Sequence, residues 1–226
     1  MESFFMIRRK LIEEIASKFK AIGLPPELNV RESKFLVALL HEVAKGNPVT
    51  HEKINEIATQ LNFNEVEIKS FIEAYTERDQ NEKIVGVFGL SQNKYAHKFD
   101  IEDNNLSTFC GWDTLFLTQL LKKTAKIEVI DPQSKETVRL EISPQKVVTV
   151  SPSNTVLSIV VPGEDIETMA QAYNIFCVNI RFFASEKNLH DWFKQREYKP
   201  LVISPQEGFE LGSLSFGHLM QKVEIG

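Results

Sequence analysis

The sequence predicts an α+β protein with its helices first and its sheet second. Two observations carry that expectation. Apolar residues recur at three- and four-residue spacing along the N-terminal third, the signature of one buried helix face. Beyond about residue 84 short alternating segments with turn signals take over, and no internal repeat or low-complexity linker interrupts them. The expected division is a helical N-terminal domain over 1–83 and an α+β domain with a mixed or antiparallel sheet over 84–226.

The elements follow in order. Phe4, Ile7, Leu11, Ile12, Ile15, Phe19 and Ile22 mark a first helix that stops at Gly23, before Pro25 and Pro26. Phe35, Leu36, Leu39, Leu40 and Val43 mark a second, ending at Gly46 with Pro48 beyond. Thr50 is placed to cap a third helix carrying Ile54, Ile57, Ala58 and Leu61. Asn64, with Glu67 three residues on, is placed to cap a fourth carrying Val66, Phe71, Ile72 and Tyr75. Helices three and four, followed by strand-like segments 83–90 and 95–101 around a Ser-Gln-Asn-Lys turn, read as a helix-turn-helix with a wing. The second helix of that pair shows Glu65, Glu67, Glu73 and Glu77 against Lys69 and Arg78, the wrong sign for phosphate. A structural use of the motif is therefore expected, and no nucleic-acid partner.

In the second half, 127–131 and 138–142 alternate around Asp-Pro-Gln-Ser-Lys-Glu as a hairpin, and 147–150 and 156–161 read as further strands. A short helix is expected over 166–173, a strand over 175–183, a helix capped by Ser185 with Leu189, Trp192 and Phe193 on one side, and short helical turns broken by glycines over 209–223.

Composition narrows the function. Of 226 residues 42% are hydrophobic, enough to build a core, and a net charge of −5 offers no general attraction for nucleic acid or anionic lipid. The N-terminal apolar run is too short for a signal peptide, and no stretch approaches the roughly 20 apolar residues of a membrane span. A cytoplasmic protein without a membrane partner is expected, in which the two cysteines stay reduced.

Those cysteines sit in contexts that suggest chemistry. Residues 109–121 carry Leu115, Phe116, Leu120 and Leu121 behind a possible cap at Ser107 or Thr108, which places Cys110 in the first turn of a helix. The helix dipole there favours thiolate over an unperturbed pKa of about 8.5. Asp113, at i+3, projects from the same face. A carboxylate opposes an adjacent thiolate, so its presence makes sense if it takes the thiol proton and later delivers it. With an ordinary pKa of about 3.9 it would be ionised and would have to acquire that proton in the site. Cys177 shares a strand face with Asn179, Arg181 and Phe183, the less apolar face of its segment and one suited to lining a pocket. A small buried hydrophobe is the ordinary reading of either cysteine alone. Together, two thiols and a carboxylate suit a soft metal and a proton. His41, His51, His97, His190 and His218 show no metal-ligand spacing and are expected to pack or face solvent.

On these residues the chain resembles the organomercurial lyase family, MerB or alkylmercury lyase. The pieces that carry the likeness are Phe-Cys-Gly-Trp-Asp-Thr-Leu-Phe (109–116), Phe-Cys-Val-Asn-Ile-Arg-Phe-Phe-Ala-Ser (176–185) and Glu-Leu-Gly-Ser-Leu-Ser-Phe-Gly-His-Leu-Met-Gln (210–221), with weaker support from 85–91 and 143–147. The resemblance implies a winged-helix-like domain packed on a catalytic MerB-like α+β domain. It implies Cys110, Asp113 and Cys177 as the catalytic set and the mercury ligands, and no organic cofactor, Hg(II) being bound as product. It further implies an organomercurial substrate and passage of Hg(II) to mercuric reductase. Stoichiometry adds that two thiols and a proton shuttle suffice for protonolysis of the carbon–mercury bond. Cys110 is the first candidate to attack, although the sequence does not order the two thiols, and low-molecular-weight thiols are able to remove Hg(II). Two positions depart from the family pattern: Asp131 stands where many members carry a further cysteine, and Thr118 where a proline is common. Two other classes fit the same residues: a protein that binds or transfers Hg(II) or Cu(I) without breaking a carbon–metal bond, and a regulator using the winged-helix-like part. Asp113 is the discriminating feature, since a carrier has no need of a proton shuttle. Trp112 is placed either to shape an organic pocket or to pack in the core.

Overall fold

A computed structural model describes residues 2–161, 176–196 and 198–224. The helix expected over 166–173 lies outside them. The N-terminal layer is α1 (Glu2–Ala21), α2 (Val30–Val43), α3 (His51–Gln60) and α4 (Glu65–Tyr75). Their ends obey local chemistry. Asn64 and Glu67 form the expected capping box, Thr50 accepts from the Lys53 N–H, and Gly23 and Gly46 take positive φ of 74° and 80°, the left-handed geometry that ends a helix without a Cβ penalty. A second capping box, Asn29 with Glu32, starts α2. All five apolar residues that marked the face of α2 are fully buried.

The sheet is antiparallel throughout and eight-stranded: β1 (Thr76–Arg78), β2 (Ile84–Val87), β3 (Leu90–Ser91), β4 (His97–Ile101), β5 (Asn104–Thr108), β6 (Ala125–Ile130), β7 (Thr137–Ile142) and β8 (Val147–Ser151), in the order β1-β2-β3-β5-β4-β6-β7-β8. The predicted β6–β7 hairpin is present with Ile127 opposite Leu140, so its alternation buries one face. A small sheet of β9 (Val156–Ile159), β10 (Phe182–Phe183) and β11 (Leu201–Ile203), ordered β10-β9-β11, lies beside α6 (Glu186–Phe193) and α7 (Pro205–Glu224), and α7 packs on α5 (Asp113–Leu121). Ser185 caps α6 as expected, accepting from the Asn188 N–H. Among the described residues no helix is long and apolar enough to cross a membrane.

Two expectations about elements are corrected. The wing is not a hairpin of 83–90 with 95–101: β2 pairs with β1 and β3, while β4 pairs with β5 and β6. The tight turn at Phe88 and Gly89 divides the first segment into two strands, so the segments never pair across the Ser-Gln-Asn-Lys stretch. The tail is one continuous helix, α7, rather than short turns. Its glycines are contact points instead of breaks. A Cβ on Gly208 would stand 2.6 Å from Leu115 Cδ1, and one on Gly212 2.7 Å from Phe116 Cβ, so both let α7 lie close on α5.

The apolar core runs without interruption from Ile12 and Phe19 of α1 through α2 to Ile127, Leu157 and Leu219. It therefore crosses the 83/84 boundary, as does the pairing of β1 with β2. The Arg8 guanidinium adds a polar clasp, donating to both carboxylate oxygens of Glu207 at 2.6 and 2.7 Å and tying α1 to α7. The helical layer thus forms one wall of whatever opens between the layers.

Candidate active site

Cys110 lies in the short link between β5 and α5. Four backbone contacts hold that link: Phe109 N–H donates to Gly89 O (2.9 Å), Cys110 N–H to Asp113 Oδ2 (2.8 Å), Thr108 Oγ1 to Cys110 O (2.9 Å), and Gly111 N–H to Ile180 O (3.0 Å). The last is the decisive one, because Ile180 closes the turn that carries Cys177. A Cβ on Gly111 would stand 2.9 Å from Leu157 Cδ1 and 3.3 Å from Ile180 O, so glycine allows the two segments to touch. The two thiols are near enough that Cys177 raises the pKa of Cys110.

Each cysteine departs from its expected setting. Cys110 precedes α5, whose N-cap position is Trp112, and neither Ser107 nor Thr108 caps the helix. Asp113 is the first residue of α5, and its carboxylate reaches back to the Cys110 N–H. Cys177 lies in a single 3-10 turn, Cys177–Asn179, instead of a strand. Asn179 and Ile180 are both buried while Val178 is only half-buried, so the burial does not follow the period of two that the stretch had suggested. The Ser158 hydroxyl donates to Asn179 O at 2.6 Å and fastens the turn to β9. As expected, Cys177 faces partly open space, while Cys110 is 1% exposed.

Burial governs the electrostatics. The carboxyl of Asp113 is held under Gly89, whose hypothetical Cβ would lie 2.7 Å from Asp113 Cγ. Loss of solvation pushes its pKa up to about 7 against the hydrogen bonds from Cys110, which pull downward. The Cys110 thiol is pushed well above its ordinary value, first by burial, then by its bond with Cys177 and the charge of Asp113. Both findings correct the sequence reading, in which a helix dipole made Cys110 a thiolate and Asp113 a bare carboxylate. At neutral pH the Cys110 thiol keeps its proton, while Asp113 is divided between its ionised and protonated forms and is poised to take up or release one.

The site opens onto a cavity of about 310 Å³ lined by Asp113, Cys177 and a set of aromatic rings. Trp112 belongs to both of its expected roles. It is 3% exposed, donates Nε1–H to Gly208 O at 3.0 Å, packs on Phe19 with centroids 5.0 Å apart, and still contributes to the cavity wall. Phe116 and Phe216 stack at 3.9 Å beside it. The helical layer supplies Leu24 and Tyr75 to the same cavity, and β1 supplies Glu77. Glu77 is on β1 instead of α4, and accepts from Ser91, Asn93 and Tyr95.

Among the described residues no group of three or more His, Cys, Asp or Glu stands ready to hold a metal ion. Cys110, Cys177 and Asp113 are adjacent without forming a preassembled three-ligand cage. His97 is a packing residue, 2% exposed with both ring nitrogens unpartnered, its ring 6.3 Å from Phe182 and its pKa lowered to about 3 by burial and Arg181. Arg181 donates Nε–H to Val178 O at 2.8 Å. Thr118 is accommodated inside an unbroken α5, its hydroxyl 3.4 Å from Leu115 O and Ser143 O. Asp131 is fully buried and accepts N–H bonds from Gln133, Ser134 and Ala184 and one from the Asn188 amide, fastening the β6–β7 turn to the segment that follows Cys177. The contributions of Phe88 and Gly89 escaped the sequence reading. Their one signal was a Phe-Gly pair between apolar strand residues, the place of a two-residue hairpin turn.

The alkylmercury lyase (MerB) family model matches residues 90–217 of the chain. The alkylmercury lyase of Staphylococcus epidermidis is 32% identical over 176 residues, covering 77% of each chain. That of Bacillus cereus is 32% identical over 178 residues, 78% of each, and that of Pseudomonas putida 27% identical over 214 residues, 94% of this chain and 95% of the relative. Among solved structures the mercury-bound form of MerB2 is similar, with a TM-score of 0.74 at 17% identity over 92% of this chain and 99% of that one, a likeness of fold.

Proposed function

The chain belongs to the alkylmercury lyase family, and on that footing we propose that it is itself an organomercurial lyase, cleaving R–Hg–SR′ by protonolysis with Cys110, Cys177 and Asp113. One observation carries the reading: the buried carboxyl of Asp113, its pKa pushed up to about 7, is bonded to the Cys110 backbone beside a second cysteine, Cys177, at the wall of an apolar cavity. Mercury accounts for the thiols, and breaking its carbon bond accounts for the carboxyl.

The atoms balance without a redox step. Two cysteine thiols and R–Hg–SR′ give R–H, HSR′ and a mercuric dithiolate, mercury remaining divalent. Cys177, the thiol that opens on the cavity, takes mercury first and its proton leaves with the carrier thiol. The sequence does not order the two thiols, and Cys110, its first candidate, is enclosed. Cys110 then joins as its proton passes to Asp113, and donation from two sulfurs makes the mercury-bound carbon basic. Asp113 delivers the proton to that carbon. The aromatic walls exclude water, which strengthens each charge interaction in the step. Hg(II) leaves by exchange with low-molecular-weight thiols or with mercuric reductase.

The test is hydrocarbon release. Incubation with phenylmercury or methylmercury and excess thiol should yield benzene or methane. No hydrocarbon above a thiol-only control would sink the proposal and leave a soft-metal carrier.

A further inference from the structure

The ring and the backbone of Phe88 make opposite demands. Its φ is 51°, and Gly89 follows at 93°, so both central residues of the turn joining Val87 to Leu90 are left-handed. Such a turn ordinarily begins with Asn, Asp or Gly, and a bulky residue with φ in this range is an outlier. Strain of this kind persists only where the surroundings over-determine the backbone. Here they do: Val87 and Leu90 are paired, the Phe88 N–H donates to Tyr75 O at 3.1 Å, and Gly89 O accepts from the Phe109 N–H at 2.9 Å.

The gain from this arrangement is a ring in the cavity wall. Phe88 is half-buried, edge-on to Phe116 at 6.1 Å and to Phe216 at 5.7 Å, and it lines the same cavity as Asp113 and Cys177. The next residue, Gly89, lies against the Asp113 carboxyl. One turn therefore holds the proton donor and an aromatic wall in fixed relation. The organic group must occupy the space beside the carbon that Asp113 protonates.

We propose that Phe88 is a specificity-determining residue, its ring selecting flat aromatic groups on mercury over methyl. The inference rests on the lyase reading above. Edge-to-face contacts reward an aryl group. A methyl group leaves most of the cavity unfilled.

Phe88→Asn separates this role from a packing role, because asparagine suits the left-handed backbone while losing the ring. The measurement is kcat/KM for phenylmercury and for methylmercury in excess thiol, with thermal midpoints alongside. The expected result is a phenyl-to-methyl ratio about tenfold lower in Phe88→Asn. Its thermal midpoint should be no lower than the original, and Phe88→Tyr should keep the ratio within about twofold. An unchanged ratio in Phe88→Asn, or equal losses on the two mercurials, overturns the inference. Equilibrium dialysis of both mercurials against Asp113→Asn, with and without Phe88→Asn, reads the same ratio without turnover. If the unmodified protein releases no hydrocarbon, the lyase reading fails, and the dialysis ratio still decides for or against Phe88.

Discussion

Cys110 and Cys177 sit on opposite kinds of scaffold. Cys110 is enclosed in a link whose neighbouring backbone groups are bonded to Gly89, Thr108, Asp113 and Ile180. Cys177 rides a single turn at the cavity wall, fastened through Asn179 and Ile180. The enclosed thiol is the one with a carboxyl beside it, and the other thiol is the one that opens on the cavity. A site that breaks a metal–carbon bond needs both properties, and they conflict in one residue: burial that manages a proton also blocks access.

The largest effect that would break this division of labour is on turnover. Asp113→Asn keeps an acceptor for the Cys110 N–H but cannot carry the proton. Hydrocarbon release should fall by about 10²–10⁴, the range of general acid–base contributions, while Hg(II) binding by dialysis persists. Equal turnover would refute the shuttle.

The same variant should be more stable than the original at alkaline pH. The folded pKa of Asp113 is raised from 3.8 to about 7, so the folded state holds this proton where the unfolded state has lost it. Its contribution is therefore full below about pH 4 and is lost as pH rises through 7. Above pH 7 the folded chain carries a buried charge, and its removal should add on the order of a few kcal/mol. Urea titrations at pH 5 and pH 8.5 read the difference, and a variant less stable than the original at pH 8.5 would contradict it.

A smaller effect tests the shelter over the carboxyl. Gly89→Ala puts a methyl group where Asp113 lies and strains a φ of 93°, so a loss of about 1–3 kcal/mol is expected. Turnover should fall further than stability alone explains, seen as reduced kcat at temperatures where the variant is fully folded. The mildest test compares the thiols themselves. In the native protein iodoacetamide should label Cys177 at least about tenfold faster than Cys110, since reactivity follows exposure and thiolate character. Peptide mass mapping over time would show it, and equal rates would mean the enclosure of Cys110 is breached.

Local chemistry made much of the molecule legible in the sequence. Helix starts at Thr50, Asn64 and Ser185, stops at Gly23 and Gly46, and the hairpin around Asp131 depend on neighbours a few residues away, and the structure has them all. The three candidate site residues were legible as residue types at a spacing, and the structure brings them together. Misreadings arose where distant contacts override local pattern. The glycines of α7 looked like breaks until Leu115 and Phe116 were packed against them. The 176–180 stretch looked like a strand, but in the structure Asn179 is buried and Val178 only half-buried, which breaks the alternation as a turn does.

By itself the sequence determined the α+β order, the caps, and a thiol pair with a carboxyl three residues from one of them. Those are properties of composition and short-range spacing. Only the tertiary structure decided which thiol is open, how burial shifts the ionisation of Cys110 and Asp113, and which rings line the cavity beside them. Solvation is the physical reason: the pKa of Asp113 and the enclosure of Cys110 depend on how much water is excluded by Gly89, Trp112 and the Cys177 turn, groups that chain folding alone brings together.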